Sequence, residues 1–408
     1  MTEHDMTVEG LLAAVEQAPP VDSVAVVAQA LARQMDAREV RFWIIDFTGD
    51  VLLPLPVANI TEGEGGDQDH IDLRGTLHEE VIRSQQLHIT QTPEPVSGYR
   101  ALAPVTTHGD AIGILEVITA AQPSPRHRHQ ITQAAQALAY VVTSNRRFTD
   151  LYEWGRRSIP PTLAAEIQHN LLPQALSCEA GPVTFAGALQ PTHDISGDTF
   201  DYSLDRHTLH VSITDAMGHH TYAALLATLI VGSLRNTRRA RAPLAEQARA
   251  AHQAVLDYGQ DATVTGQLMN LNLSTGHALF VNAGHPWPLR LRNGRVSEIQ
   301  PAVDLPFGAP WDGHYRVQDL HLAPGDRLVL ITDGMTERNT TALDLPARIE
   351  ADADLHPREA VRSLMRALHQ ATEGNLLDDA TVICLDWHGT SSSPHTSTTS
   401  ADTSPNRH

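Results

Sequence analysis

Apolar residues recur at helical spacing, and then in short alternating runs, through the first third of the chain. Residues 21–35 have the apolar spacing of a helix, and residues 39–57 read as two strands around the turn Thr48-Gly49-Asp50. A short helix, a second pair of strands around His108-Gly109-Asp110 and a helix from about Ile131 follow. This order of helix, hairpin, helix, hairpin and helix predicts one α+β domain.

The second half of the chain mixes short strands and turns with a few strongly periodic helices. Helical periodicity marks residues 221–237, 243–258 and 357–372, and strands cluster before, between and after them, which favours an α+β arrangement over regular βαβ units. Between the two halves, the helix predicted at residues 161–171 starts at a proline pair, and its apolar residues fall on one face. Such a helix can pass a signal between domains, and a passive spacer is an equal alternative.

The amino-acid composition disfavours several classes of function. The 408 residues carry a formal net charge of −19, which disfavours binding to nucleic acid or to an anionic membrane. Cys178 and Cys384 are too few for a disulfide framework or a cysteine-rich zinc site. No signal peptide or long apolar segment is visible, so we expect a cytoplasmic protein. Trp154, Trp287 and Trp311 read most simply as core or interface residues.

Aspartates stand where predicted strands end. Strands near 199–204 and 208–214 would form a hairpin whose open ends place Asp198 and Asp215 at the same sheet edge. A second apolar strand ends at Asp333, and another begins just after Asp378 and Asp379. If these two strands run antiparallel, all of these carboxylates converge.

Converging carboxylates repel one another unless a cation neutralises them. Oxygen ligands suit Mg²⁺ or Mn²⁺, and two such ions a few ångströms apart can activate a water for attack on phosphorus. A single aspartate at a strand end is more often a cap or a turn former. The inference therefore depends on the whole set, which predicts a two-metal phosphoryl hydrolase.

The same segments resemble a known family. "ISGDTFD", "DAMGHH", "VNAGHPWPL", "LPFG", "ITDGMTE" and "DDATVICL" are similar, in this order, to the landmarks of the metal-dependent (PPM, type 2C) serine/threonine phosphatases of the SpoIIE/RsbU branch. The resemblance covers residues 160–387. It implies a PPM-type α-β-β-α sandwich and two Mn²⁺ or Mg²⁺ ions. It also implies metal ligands, which are Asp198, Asp215, the carbonyl of Ala216, Asp333, Asp378 and the less clear Asp379.

The resemblance also implies an activity and a partner. We expect a protein serine/threonine phosphatase in which a metal-activated water attacks directly, with Asp198, Asp215 and Asp333 as catalytic residues. Its implied substrate is a phosphorylated STAS-domain anti-sigma factor antagonist. Ser196 and His220 replace glycines of the family pattern, so the alternative is a catalytically impaired protein of the same fold that serves as a docking module. A histidine-kinase-type ATPase would need a glycine-rich lid, which is not found.

Residues 21–145 are similar to a GAF sensory domain in their order of elements, which implies a small-molecule ligand as a candidate. We further expect a homodimer formed through residues 131–172, with the helix at 161–171 as a switch. The predicted organisation has five parts: an N-terminal segment (1–20), a GAF-like α/β domain (21–145), a helical connector (146–172), a PPM SpoIIE-type domain (173–388) and a disordered Ser/Thr-rich tail (389–408).

Overall fold

The computed structural model describes residues 7–55, 70–92, 97–158, 161–192, 197–218, 220–259, 262–336, 340 and 343–390. Within this part the chain separates into two compact units, with the boundary between Pro160 and Pro161. Ser196 and the predicted tail beyond Thr390 lie outside the described residues. No helix among the described residues is long and apolar enough to cross a membrane.

The described part of the first unit combines helices with one β-sheet. Its helices are α1 (Val8–Gln17), α2 (Ser23–Met35), α3 (Leu77–Ser84), α4 (Pro125–Asn145) and α5 (Leu151–Trp154). Its strands are β1 (Glu39–Ile45), β2 (Val51–Leu55), β3 (Ile71–Asp72), β4 (His88–Gln91), β5 (Tyr99–Thr107) and β6 (Asp110–Thr119). They form an antiparallel sheet in the order β3-β2-β1-β6-β5-β4, and both predicted hairpins are confirmed.

Helices cover both faces of this sheet. Apolar residues of α1, α2, α4 and α5 pack against one face, where Phe42 and Leu115 are buried, and α3 packs on the other face around Trp43 and Ile114. The helix expected from about Ile131 begins earlier, because Ser124 caps it by accepting the backbone N–H of His127 at 3.2 Å. The likeness to a GAF domain stays a prediction.

The second unit contains two sheets. Its helices are α6 (Leu163–Leu171), α7 (His220–Arg239), α8 (Leu244–Tyr258), α9 (Leu345–Ala351) and α10 (Pro357–Ala371). Its strands are β7 (Ser177–Glu179), β8 (Val183–Gln190), β9 (Thr199–Leu204), β10 (Thr208–Ala216), β11 (Val264–Asn272), β12 (His277–Ala283), β13 (Leu289–Arg292), β14 (Arg295–Glu298), β15 (Gln318–His321), β16 (Asp326–Ile331) and β17 (Ala380–Trp387). The sheet orders are β15-β12-β11-β10-β9 and β14-β13-β16-β17-β8-β7.

The second unit has four layers. Alternating apolar residues of the two sheets meet in a core that includes Phe200, Phe280 and Leu330. The outer face of the first sheet packs under α7 and α8, and that of the second sheet packs under α9 and α10. The mixed α/β architecture predicted from the sequence is therefore confirmed, and its layer order is helices, sheet, sheet, helices.

The predicted connector at 146–172 is divided between the two units. Tyr152 of α5 is fully buried in the core of the first unit, whereas Leu171 of α6 belongs to a core cluster of the second. The predicted N-terminal segment also contributes to a core, because Leu11 and Val15 of α1 are buried in the first unit. The predicted connector and the predicted N-terminal segment thus both contribute apolar side chains to a core, and neither is a linker without core contacts.

Candidate active site at one edge of the sheets

Asp198 and Asp215 lie at one end of the hairpin formed by β9 and β10. The strands pair antiparallel up to Thr199 opposite Thr214, whose hydroxyls lie 2.7 Å apart. The predicted strand end at residue 214 is two residues short, because β11 continues the ladder and pairs Thr265 with Asp215 and Val264 with Ala216. Asp215 therefore lies among the last paired residues of β10, and Asp198 directly precedes β9.

Asp198 is held from the other sheet. Its side chain is buried, and its Oδ2 accepts the hydroxyls of Thr332 and Thr381, each at 2.7 Å. Thr332 follows β16 and Thr381 lies at the start of β17, and these two strands pair antiparallel as predicted. Burial, followed by the charges of Asp215 and Asp379, raises the pKa of Asp198 well above its usual value. The two sheets thus meet around one desolvated carboxyl group.

Asp378 and Asp379 have different surroundings. Asp379 is buried, with Oδ2 accepting from Gln168 at 2.6 Å and Oδ1 accepting from the backbone and hydroxyl of Thr192 at 2.8 and 3.2 Å. Asp378 is half-buried, and its Oδ1 accepts the backbone N–H of Asp379 at 2.8 Å. Asp379 is therefore oriented by protein donors next to Asp198.

Asp333 lies with Asp378 on the more open side of this edge. It begins a short 3₁₀ turn, Asp333–Met335, directly after β16. Partial burial, followed by the charge of Asp378, raises the pKa of Asp333. The structure thus brings Asp198, Asp215 and Asp379 together, places Asp333 with Asp378, and sets both groups at one edge of the sandwich.

Two glycines allow this close approach. A Cβ atom at Gly197 would lie 2.6 Å from the carbonyl oxygen of Ala216, and one at Gly334 would collide with the carbonyl oxygen of Asp379. The backbone N–H of Ala216 donates to the carbonyl of Gly197 at 3.4 Å. His220 has a φ of 59°, which lies in the left-handed region that glycine adopts more readily than other residues.

Sequence reasoning missed the residues that hold the carboxylates. Gln168 of α6 donates both to Asp379 and, at 2.9 Å, to the carbonyl of Asp198, and Thr332 also accepts the backbone N–H of Thr381 at 2.9 Å. Thr332 directly precedes Asp333 and Thr381 follows Asp379 by two positions, so the motifs contained a signal. No sequence signal marks Gln168, because its role depends on how α6 packs.

The donor types at this edge fit a divalent cation. Buried carboxylates that raise one another's pKa are stabilised by a nearby positive charge, and all-oxygen donors suit Mg²⁺ and Mn²⁺. Within the described ranges, however, no three or more side chains of His, Cys, Asp or Glu are arranged as a complete metal-binding group. The residue types and their shared edge support a cation, and the assignment of individual ligands stays a prediction.

Comparison with known proteins shows a likeness to one family. Residues 205–388 match the family described as stage II sporulation protein E (SpoIIE). Two proteins of Bacillus subtilis (strain 168) are each 26% identical to this chain: phosphoserine phosphatase RsbU over 235 residues, and phosphoserine phosphatase RsbP over 183 residues. The first match covers 55% of this chain and 68% of RsbU, and the second covers 43% of this chain and 44% of RsbP.

A solved structure is also similar. The RsbU and RsbW domains of Rv1364c from Mycobacterium tuberculosis align with a TM-score of 0.47 and 21% identity, over 54% of this chain and 63% of that chain. The family match covers β10, β16 and β17, which carry or flank four of the five aspartates. Residues 205–388 are thus similar to the SpoIIE family over less than half of the chain.

Proposed function

We propose that the chain is a metal-dependent protein serine/threonine phosphatase. The observation that supports this most strongly is the shared edge at which Thr332 and Thr381 of one sheet hold the buried carboxyl of Asp198, beside Asp215 and Asp379. Relatives that match this part of the chain are phosphoserine phosphatases. Hydrolysis of a phosphate ester is the chemistry for which an acidic, cation-binding edge is suited.

The proposed ligands are Asp198, Asp215, the carbonyl of Ala216, Asp333 and Asp378, and they would hold two Mn²⁺ or Mg²⁺ ions. When bound, such cations offset the charge of the phosphate and lower the pKa of water. The protein's own contribution is to fix the carboxylates. Thr332 and Thr381 orient Asp198, and Gln168 orients the neighbouring Asp379. Fixed donors reduce the reorganisation needed in the transition state.

For the substrate we propose a phosphorylated STAS-domain anti-sigma factor antagonist. Support comes from the likeness to RsbU and RsbP, which are both phosphoserine phosphatases. The net charge of −19 fits a protein partner better than nucleic acid. Formation of a homodimer through residues 131–172 and control by the first unit belong to the same proposal.

A small-molecule ligand of the first unit is a further part of this proposal. Glu116 is buried on the sheet face under α3, where it accepts from Trp43 Nε1 at 2.7 Å and lies 2.8 Å from Arg100. His78 of α3 is also buried, and its Nε2 has no hydrogen-bond partner among the described residues. Burial lowers the pKa of His78. Such a polar cluster within an apolar layer can recognise a ligand or serve packing alone.

The substrate is tested with a phosphoserine STAS-domain protein from the same genome. We expect the purified full chain to remove the phosphate from this substrate in Mn²⁺ and not in EDTA. Intact mass spectrometry of the substrate measures the loss of phosphate. The unphosphorylated protein gives the reference mass. If the phosphate is retained while the chain hydrolyses p-nitrophenyl phosphate in Mn²⁺, the phosphatase proposal stands and the STAS substrate is wrong.

The second candidate function is a docking module with impaired catalysis. It is favoured by one observation: His220 occupies a left-handed conformation beside the loop that follows Asp215. This candidate predicts tight binding of the phosphorylated partner with no phosphate release under any divalent cation.

A further inference from the structure

A cleft of about 360 Å³ opens beside the candidate active site. It is lined by Thr265, His285, Pro286, Trp287, Val303 and Asp333. Asp333 is thus shared between the cleft and the carboxylate edge, and Thr265 is the cross-strand neighbour of Asp215. Whatever occupies this cleft, called the Trp287 cleft below, therefore lies next to the proposed reacting phosphate.

Exposed apolar side chains form the rim of the Trp287 cleft. Trp287 is 40% exposed and Val303 is 41% exposed, and Leu305 beyond the cleft is 51% exposed. The sequence suggested that Trp287 is either a core or an interface residue, and its exposure excludes the core. Solvent-exposed aromatic and aliphatic groups that surround a concave site commonly mark an interaction surface.

Buried hydrogen bonds hold the loop that carries Trp287. Asn282 is fully buried, accepts the backbone N–H of His285 at 2.8 Å and donates to the His285 carbonyl at 3.0 Å. The Nδ1 of His285 lies 2.8 Å from the hydroxyl of Thr265, and the side chain of Gln267 donates to the carbonyl of Pro286. The loop is thus fixed before any partner arrives, which lowers the entropic cost of binding.

An ion pair holds the segment that carries Val303. Arg316 donates to the carbonyl of Val303 at 2.9 Å and to the carboxylate of Asp304 at 2.6 Å. Asp304 is bridged to β12 through its own N–H, which donates to the carbonyl of Asn282 at 2.9 Å. Both walls of the cleft are therefore attached to the same end of β12.

Charge limits what the cleft can accept. Among the described residues that line the cleft there is no Lys or Arg, and Asp333 is the charged side chain. Burial lowers the pKa of His285 to about 3, so its imidazole is neutral at physiological pH. The apolar walls of the cleft also disfavour a charged side chain, because burial would remove its hydration.

We propose that the Trp287 cleft binds an aliphatic side chain that flanks the phosphoserine of the protein substrate. The volume suits one or two side chains rather than a large cofactor. A tryptophan that a bound partner covers is often a major determinant of affinity. This inference rests on the proposed phosphatase function and specifies which phosphoproteins the site selects.

The test uses three peptides that carry a phosphonate analogue of phosphoserine, which cannot be hydrolysed. They differ in the residues on both sides of the phosphonate, which are Leu, Ala or Glu. By fluorescence anisotropy with the full chain in Mn²⁺, we expect the Leu peptide to bind at least about tenfold more tightly than the Ala peptide, and the Glu peptide to bind most weakly. Trp287→Ala should bring the Leu and Ala peptides to within about twofold of each other.

Leu12→Ala is the control, because Leu12 is an apolar residue that is 42% exposed, lies in the first unit and is outside residues 131–172. It should keep the preference for Leu, and Trp287→Phe should keep part of it. Equal binding of the Leu and Ala peptides to the wild type, no binding of any peptide, or a preference that survives Trp287→Ala would overturn the inference.

Hydrolysis of the matching phosphoserine peptides separates this inference from the proposed function. If the Leu preference depends on Trp287 but no peptide releases phosphate, the cleft is supported and the phosphatase function fails. If all three peptides release phosphate at equal kcat/KM, the phosphatase function is supported and the cleft inference fails.

Discussion

Replacing Asp198 by asparagine is expected to abolish phosphatase activity and to make the protein more stable when divalent cations are absent. The introduced amide can still accept both threonine hydroxyls through its carbonyl oxygen, so the local packing should persist. The substitution removes a charge that burial, Asp215 and Asp379 disfavour. Loss of a cation ligand that contributes several kcal/mol to the transition state corresponds to about a thousandfold in kcat.

The direction of the stability effect follows from the same pKa. Because the pKa of Asp198 is raised in the folded state, ionisation at neutral pH favours the unfolded chain, and an uncharged side chain removes that cost. In EDTA we expect an increase of at least about 1 kcal/mol, or roughly 2–4 °C in Tm. In Mn²⁺ the wild type should gain stability by binding the cation, and the variant should gain less.

Thermal melting in EDTA and in Mn²⁺, beside p-nitrophenyl phosphate hydrolysis, measures both effects. Asp257→Asn is the control, because Asp257 is an exposed carboxylate on α8 whose replacement should alter neither quantity. Full activity in Asp198→Asn would show that this carboxyl is not part of the catalytic site. Lower stability in EDTA would show that the charge repulsion inferred from the structure is wrong.

Gly334→Ala is expected to have the largest effect among single methyl additions in this domain. The added Cβ would collide with the carbonyl oxygen of Asp379, which is backbone and cannot rotate away. Relief requires the end of β16 to move from the start of β17, and this movement would separate Asp333 from Asp378. Overpacking of this kind costs about 1–3 kcal/mol, and activity should fall with it.

Gly232→Ala provides the comparison. Gly232 is an exposed residue within α7, and a Cβ there meets nothing within 4 Å. Alanine favours the helix over glycine, so this variant should be more stable by about 0.5–1 kcal/mol. Urea unfolding of the two variants measures the difference. Equal free energies of unfolding for Gly334→Ala and the wild type would contradict the close contact between residues 334 and 379.

The placement of the aspartates could be predicted because strands and turns set it locally. The turn between β9 and β10 places Asp198 and Asp215 at one edge, and an antiparallel pair does the same for Asp333 and Asp378. Which of Asp378 and Asp379 faces Asp198 could not be predicted. The two residues precede β17, and their directions depend on contacts with Gln168 and Thr192 from distant segments.

Other features depended on contacts that a sequence pattern does not show. The Trp287 cleft combines a strand, a loop after β12, residue 303 and Asp333, which only the sandwich brings together. The helix α9 was not predicted, although Asp344 caps it by accepting the N–H of Ala347 at 3.0 Å and a proline lies in its first turn. Asp344 and the proline are a helix start signal, but the apolar pattern that follows them is too short to indicate a helix.

The central claim is that the aspartate edge supports cation-dependent hydrolysis of phosphate esters. It is tested most directly by the rate of p-nitrophenyl phosphate hydrolysis as a function of Mn²⁺ concentration, for the wild type, Asp215→Asn and Asp257→Asn. We expect saturable, Mn²⁺-dependent turnover in the wild type and in Asp257→Asn, and at least about a hundredfold less in Asp215→Asn at saturating Mn²⁺. Turnover that does not depend on Mn²⁺, or that Asp215→Asn retains, would contradict the claim.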